Sequence, residues 1–189
     1  MLEKKLYIIL TLFLLGNGSS FAQSKDSLIS VIIAKFQHIE SHLKNYNITL
    51  NELFDESIDG GQISYYHEGK NIRLIEIMRL SDTGKRETKY YFDNEKLIFA
   101  IDAHYKYNRP LYWDINKAKE FNDTIIYDPS KTNVKEDRYY FSKEKVIGCI
   151  ANDQKELDKL NSNLRQKMIE ANGQRLITEA YKFKDKLKR

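Results

Sequence analysis

The sequence predicts an α+β protein of a single domain, an antiparallel β-meander of about six strands flanked by an amino-terminal helix and one or two carboxyl-terminal helices. Three observations predict it. Apolar residues recur at steps of three and four near both ends of the chain, which is the helical period. In the middle the period changes to short runs rich in β-branched and aromatic residues, separated by polar turn formers. Within that middle, the unit Lys89-Tyr90-Tyr91-Phe92-Asp93-Asn94-Glu95-Lys96-Leu97-Ile98-Phe99-Ala100-Ile101 returns as Arg138-Tyr139-Tyr140-Phe141-Ser142-Lys143-Glu144-Lys145-Val146-Ile147-Gly148-Cys149-Ile150, a duplicated hairpin.

Residues 1–22 read as a signal peptide. Lys4 and Lys5 precede the apolar run Leu6 to Leu15, and Ser20-Phe21-Ala22 supplies a small-x-small cleavage site before Gln23. The apolar run is too short to span a bilayer, which takes roughly 18 to 20 residues. No cysteine lies near the cut to carry a lipid. The expectation is an exported chain, periplasmic or extracellular, without a membrane anchor.

The remaining residues 23–189 suffice for one domain with its own core. Removing the leader lowers the excess of Lys and Arg over Asp and Glu from four to three, too weak a bias to point to nucleic acid. Cys149 is the only cysteine, so no internal disulfide forms and packing must hold the fold.

Along the mature chain, Leu28, Val31, Ile32, Phe36, Ile39 and Leu43 trace one face of a helix over 24–46, with Ser24 or Asp26 as its cap. Thr49–Phe54 reads as a further helical turn, ended by Gly60-Gly61. Residues 62–151 form the β-rich core, with strands at Ile63–Tyr66, Ile72–Leu80, Glu87–Phe92 and Leu97–Ala103. Strand alternation puts Tyr90, Phe92, Leu97, Phe99 and Ile101 on one face, and Tyr139, Phe141, Val146 and Ile150 on the same face of the second hairpin. Between the copies, Asn116–Phe121 reads as a short helix and Thr124–Tyr127 as an added strand. Residues 153–187 are helical, capped at Asn152 or Asp153, with a Leu157, Leu160, Leu164 and Met168 stripe and a stop or kink at Asn172-Gly173.

Few residues in this chain point to chemistry. His38 and His42 lie one helical turn apart, but Ile39 stands where a metalloprotease motif needs Glu, and no third ligand can be nominated. Cys149 aligns with Ala100 of the first copy, which suggests a small buried side chain; as a nucleophile it would need a base such as His104. Asp55, Glu56 and Asp59 lack the alternating pattern of a calcium loop. No phosphate-binding glycine loop, dinucleotide fingerprint or serine elbow occurs, and no metal, other cofactor or catalytic residue is expected. The strongest surface candidate is Tyr105, Tyr107, Arg109, Tyr112 and Trp113, where flat rings interleave with polar groups suited to a glycan or a peptide.

Asp59-Gly60-Gly61, Thr83-Gly84-Lys85, Tyr90-Tyr91-Phe92-Asp93-Asn94 with Leu97-Ile98-Phe99, and Tyr107-Asn108-Arg109-Pro110 resemble the motifs of a family of uncharacterised secreted proteins of Gram-negative bacteria, over residues 55–151. The resemblance implies export and a β-rich core, and no activity or cofactor. The family often has Gly after Asp-Asn where this chain has Glu95, which predicts a looser turn at Asn94-Glu95. The functional expectation is a non-catalytic binding protein of the cell envelope whose partner is a glycan, a peptide or a protein. A hydrolase acting on envelope glycans or peptides, and a structural subunit docking through its terminal helices, are the alternatives.

Overall fold

The computed structural model describes residues 24–53 and 59–187. The expected leader and cleavage site, together with Phe54, Asp55 and Glu56, lie outside the described residues. The element order is α1 (Lys25–Ser41), β1 (Asn47–Glu52), β2 (Gly61–Glu68), β3 (Asn71–Ser81), β4 (Gly84–Asp93), β5 (Lys96–Lys106), α2 (Ile115–Glu120), β6 (Asn133–Ser142), β7 (Lys145–Ile150), α3 (Gln154–Lys159) and α4 (Ser162–Lys186). All seven strands form one antiparallel sheet in sequence order, so the α+β meander expected from the sequence is present with one strand more.

The additional strand is β1, where Thr49–Phe54 reads as helical in the sequence. Every β1 residue is exposed, so no apolar alternation marks it; its place is set by backbone pairing with β2, Ile48 against Tyr66 and Leu50 against Ser64. Thr124–Tyr127, in turn, is not a strand. Its groups serve a loop, with Tyr127 N–H donating to the Trp113 carbonyl at 2.8 Å.

α1 and α4 cover opposite faces of the sheet. Ser24 caps α1, accepting from the Ser27 amide at 3.2 Å, and Ile32 and Ile39 bury against Leu74, Tyr91, Phe99 and Tyr140. Phe36 meets Tyr91 edge to face, with ring centroids 5.0 Å apart. On the other face Leu176, Ile177, Ala180 and Phe183 of α4 pack on Tyr65, Ile75, Tyr90, Phe92 and Tyr139. Full burial of Leu176 or Phe183 contributes on the order of 2 kcal/mol each. Polar groups set the angle of α4: Tyr65 Oη donates to the Phe183 carbonyl at 3.1 Å, and Tyr90 Oη to Glu179 Oε2 at 2.5 Å.

The duplicated unit proves to be present three times. Tyr65-Tyr66-His67-Glu68-Gly69-Lys70-Asn71-Ile72-Arg73-Leu74-Ile75 forms β2–β3 in the same way as β4–β5 and β6–β7. Each hairpin has a two-residue turn and, at the same level, a register shift that leaves Arg73, Ile98 or Ile147 without a partner. Equivalent residues therefore line up across the sheet. Tyr65, Ile75, Tyr90, Ala100, Tyr139 and Cys149 form one row facing α4, and Tyr66, Leu74, Tyr91, Phe99, Tyr140 and Gly148 form its counterpart facing α1.

These bulges correct the single-face assignment. The extra residue at Ile98 reverses alternation, so Tyr90, Phe92 and Leu97 face α4, whereas Phe99 and Ile101 join the α1 cluster. Ile147 does the same in the third hairpin, where Val146 stays with Tyr139 and Phe141 but Ile150 leaves that face and is exposed.

The turn at Asn94-Glu95 is also tighter than expected. Asp93 pairs directly with Lys96, and φ is 46° at Asn94 and 65° at Glu95; Lys143 and Glu144 repeat this at 49° and 58°. Both central residues occupy the left-handed region despite lacking glycine, because the turns that follow the right-handed twist of the strands need positive φ at one or both central positions; the first hairpin needs it at Gly69 alone. In the first case Glu95 is also held by Lys184, with Nζ 2.7 Å from its carboxylate and 2.5 Å from its carbonyl.

At the carboxyl end the break falls at Leu160-Asn161, where Asn161 caps α4 by accepting from the Leu164 amide at 2.9 Å. Asn172-Gly173 does not stop the helix, which continues to Lys186. Gly173 is where α4 touches β7: a Cβ there would lie 2.9 Å from Val146 Cβ.

Candidate ligand-binding cleft

At one end of the α4 face, the register of four strands places basic side chains side by side. Arg79 of β3 pairs with Arg86 of β4, Arg86 with His104 of β5, and His104 with Lys135 of β6. At a strand spacing of ~4.8 Å this row spans roughly 14 Å. One step further along the strands come Ser81, Gly84, Lys106 and Asn133, again directly paired. Gly84 cannot carry a side chain, because a Cβ would sit 2.1 Å from the Tyr105 carbonyl oxygen.

The wall of the cleft is the chain leaving β5. Tyr107 N–H donates to the Thr83 carbonyl at 3.0 Å and Leu111 N–H to that of Asp82 at 2.9 Å, which folds Tyr107–Leu111 over the β3–β4 turn. Asn108 spans the two sides of the loop, donating to the Ile126 carbonyl and accepting from the Asp128 amide, both at 2.9 Å. Arg109 grips Asp123 through Nε at 2.9 Å and Nη2 at 2.8 Å. Together these elements enclose a cleft of about 800 Å³, within the range of small-molecule sites.

Six of its lining residues are charged, and all are cations: Arg79, Arg86, Lys106, Arg109 and Lys135, with Lys85, whose side chain lies on the Tyr105 ring. Three are held by carboxylates: Arg109 by Asp123, Arg86 by Asp102 and Arg79 by Glu179. Asp102, almost fully buried, accepts from Arg86 Nε at 2.8 Å and Nη2 at 2.6 Å and from Arg175 Nη2 at 2.7 Å, with His104 Nε2 3.6 Å away. Glu179 takes Arg79 and Tyr90 and lies 3.6 Å from Arg175. Burial alone would raise Asp102; the hydrogen bonds and charge of Arg86, then those of Arg175, outweigh it and hold its carboxyl below the usual range. The pairing to Asp102 leaves Arg86 Nη1 uncommitted among the described residues. Lys85 Nζ lies 4.4 Å from the centre of the Tyr105 ring, Lys106 forms no ion pair with a described residue, and Lys135 reaches only Asp153, at 3.8 Å.

The five aromatic and basic residues singled out in the sequence do not form one patch. Tyr105, Tyr107 and Arg109 border the cleft. The Tyr105 hydroxyl turns to the other face and donates to Glu87 Oε2 at 2.9 Å; burial and then that carboxylate push it up to about 12. Tyr107 packs edge to face on Tyr127 at 5.4 Å. Trp113 packs on Phe121 at 5.2 Å, and Tyr112 is exposed; neither lines the cleft. Of the floor residues, His104 was considered in the sequence only as a base for Cys149, and Arg79, Arg86 and Lys135 went unnoticed, each a single cation near a strand end.

The other sequence candidates stay apart. The His38 and His42 rings lie 4.2 Å apart, with His42 Nδ1 2.8 Å from the His38 carbonyl, and among the described residues no third ligand joins them. Cys149 and His104 flank β6 at levels four residues apart, Tyr139 against Lys135, a separation on the order of 15 Å. Burial pushes the Cys149 thiol up to about 11. Comparison of the chain with protein families, curated proteins and solved structures finds no match.

Proposed function

We propose that the chain is a non-catalytic binding protein of the bacterial cell envelope and that its ligand sits in the cleft between the β3–β6 strand ends and the Tyr107–Leu111 segment. The observation that carries this reading is a cleft of small-molecule size whose charged lining residues all have one sign. Like charges on neighbouring strands oppose folding unless something compensates them. Asp102, Glu179 and Asp123 compensate three of them, and an anionic ligand would complete the balance. The chemical inventory supports binding over turnover, since Asp102 and Glu179 are engaged by arginines and the Cys149 thiol is held protonated, remote from His104.

The test is thermal unfolding of residues 23–189 against a panel of envelope glycans, peptides and small anions, because a ligand that binds only the folded state raises the midpoint. The expected result is a rise with at least one ligand that disappears in Tyr107→Ala while the unliganded midpoint holds. A rise unaffected by Tyr107→Ala and by Lys106→Ala places the ligand elsewhere and refutes the reading.

One observation favours docking to a partner as a second reading: Leu164 and Met168 on the α3–α4 stripe are exposed, while Leu157 and Leu160 are half-buried. Under that reading, Leu164→Ser with Met168→Ser abolishes an assembly detectable by light scattering.

A further inference from the structure

The chain between β5 and β6 exposes an unusual number of large apolar side chains. Leu111, Tyr112, Ile115, Phe121, Ile125 and Ile126 are each 43 to 57% exposed, within sixteen positions of one another. Isolated exposed apolar residues need no explanation, whereas a concentration of them on one loop marks an interaction surface. Tyr112, Trp113 and Phe121 form a continuous ring cluster, with centroid separations of 6.3 and 5.2 Å.

This apolar loop is built onto the wall of the cationic cleft. Arg109 and Pro110 line the cleft and Leu111 follows directly. Asn108, another lining residue, holds the Ile126 carbonyl, and Arg109 holds Asp123, whose other oxygen accepts the Ile125 amide at 3.0 Å. The loop's own acids are occupied internally. Asp114 caps α2, Asp123 takes Arg109, Asp128 takes Ser130, and Glu120 pairs with Lys117 at 2.9 Å. The charge left to face outward is positive, from Lys119 of the loop and above all from Lys106 and Lys135 of the cleft. A soluble small anion would be complementary to the cations alone and would leave the apolar loop unexplained. A ligand with an anionic group attached to apolar chains matches both.

We infer that the cleft receives the anionic headgroup of a lipid while the 111–126 loop enters the interfacial layer of the bilayer, so that the protein binds an anionic membrane surface peripherally. This rests on the cleft being the ligand site. No described helix is long and apolar enough to cross a membrane, and the proposed contact requires none: apolar side chains at the headgroup boundary supply one part of the attraction and the cations the other.

The experiment is vesicle flotation of residues 23–189 with phosphatidylglycerol/phosphatidylcholine vesicles and with phosphatidylcholine vesicles alone, beside thermal unfolding with glycerol 3-phosphate. The expected result is binding to the anionic vesicles at least tenfold stronger than to the neutral ones. Leu111→Ser with Ile115→Ser, and separately Lys106→Glu with Lys135→Glu, each reduce it at least tenfold without lowering the unfolding midpoint. If glycerol 3-phosphate or another panel ligand raises the midpoint but no vesicle binds, the cleft reading stands and the lipid inference falls. Equal binding to both vesicle types also overturns it, since the cations then play no part. Binding unaffected by the serine pair removes the loop from the contact and overturns it as well. Absence of both vesicle binding and any ligand-induced shift refutes the inference and the cleft reading together.

Discussion

Replacing Asp102 by asparagine removes the negative charge that holds two arginines beneath the cleft while keeping the side chain's size and shape. Three charge-assisted hydrogen bonds converge on this carboxylate, two from Arg86 and one from Arg175, and its side chain is only 6% exposed. Taking one partner from a buried ion pair destabilises by about 3 to 5 kcal/mol, because the remaining charge is left uncompensated. Arg86 and Arg175 both retain partial exposure, so the lower end applies, about 3 kcal/mol. In a chain of this size that corresponds to a fall in midpoint of roughly 6 to 12 °C. The sign of the pH dependence follows from the lowered carboxyl. The stabilisation is fully present above the unfolded value, about 4, and is lost as pH falls through the folded value beneath it. Calorimetric unfolding at pH 7 and at progressively lower pH checks both points: a large gap between wild type and Asp102→Asn at neutrality, closing in acid. A variant within about 2 °C of wild type at pH 7, or a gap that persists unchanged to the lowest pH at which folding survives, refutes the argument from charge compensation.

Other outcomes follow from backbone and packing geometry. Glu144→Gly relieves a left-handed residue and should stabilise by about 1 kcal/mol, read from denaturant midpoints; Glu95→Gly should gain less or lose, because it also removes the carboxylate paired with buried Lys184. Gly173→Ala should destabilise by about 1 to 3 kcal/mol through its clash with Val146, the opposite of the gain of about 1 kcal/mol that helix propensity alone predicts. Either sign is readily measured by thermal unfolding. Cys149 should react with a thiol reagent at pH 8 roughly 100-fold more slowly than a free cysteine, since a thiol pushed up to about 11 is almost wholly protonated there; reaction at the free rate would contradict its burial.

The fold was legible where side chains report their own environment. The Leu28 to Leu43 stripe predicts α1, and the Tyr-Tyr-Phe units predict hairpins, because helix faces and strand faces differ in period. β1 was not legible, since a fully exposed edge strand carries no alternation, and the bulges at Ile98 and Ile147 were not, since an unpaired β-branched residue looks like any other strand residue. The first copy of the hairpin was disguised by His67, Gly69 and Arg73, which stand where the other two have Phe, a turn residue with a side chain, and Ile. Three of the five residues of the expected ligand surface reached the cleft. Tyr105, Tyr107 and Arg109 precede or begin the loop and are fixed by β5 and by backbone bonds to the β3–β4 turn, whereas Tyr112 and Trp113 are turned away by the internal ties of the loop. The cationic floor depended on pairing register across four strands, and no single segment reveals that.

The alignment of Tyr65, Tyr90 and Tyr139 in one row makes the sheet modular in length. Joining Tyr90 directly to Tyr140 would excise residues 91–139 and leave a five-stranded sheet in which every side chain keeps its face, because the cut begins and ends at equivalent points of the unit. Such a shortened chain should still unfold cooperatively, at a lower midpoint, with α4 retaining its bonds to the first tyrosine through Phe183 and to the second through Glu179; a chain without a cooperative transition would show that the hairpins are not interchangeable. The excised piece carries β5, the aromatic loop and half of the cationic row. Sheet length is thus set by the number of repeated hairpins, whereas the cleft needs both the ends of strands β3–β6 and the insertion between the second and third hairpins that closes over them.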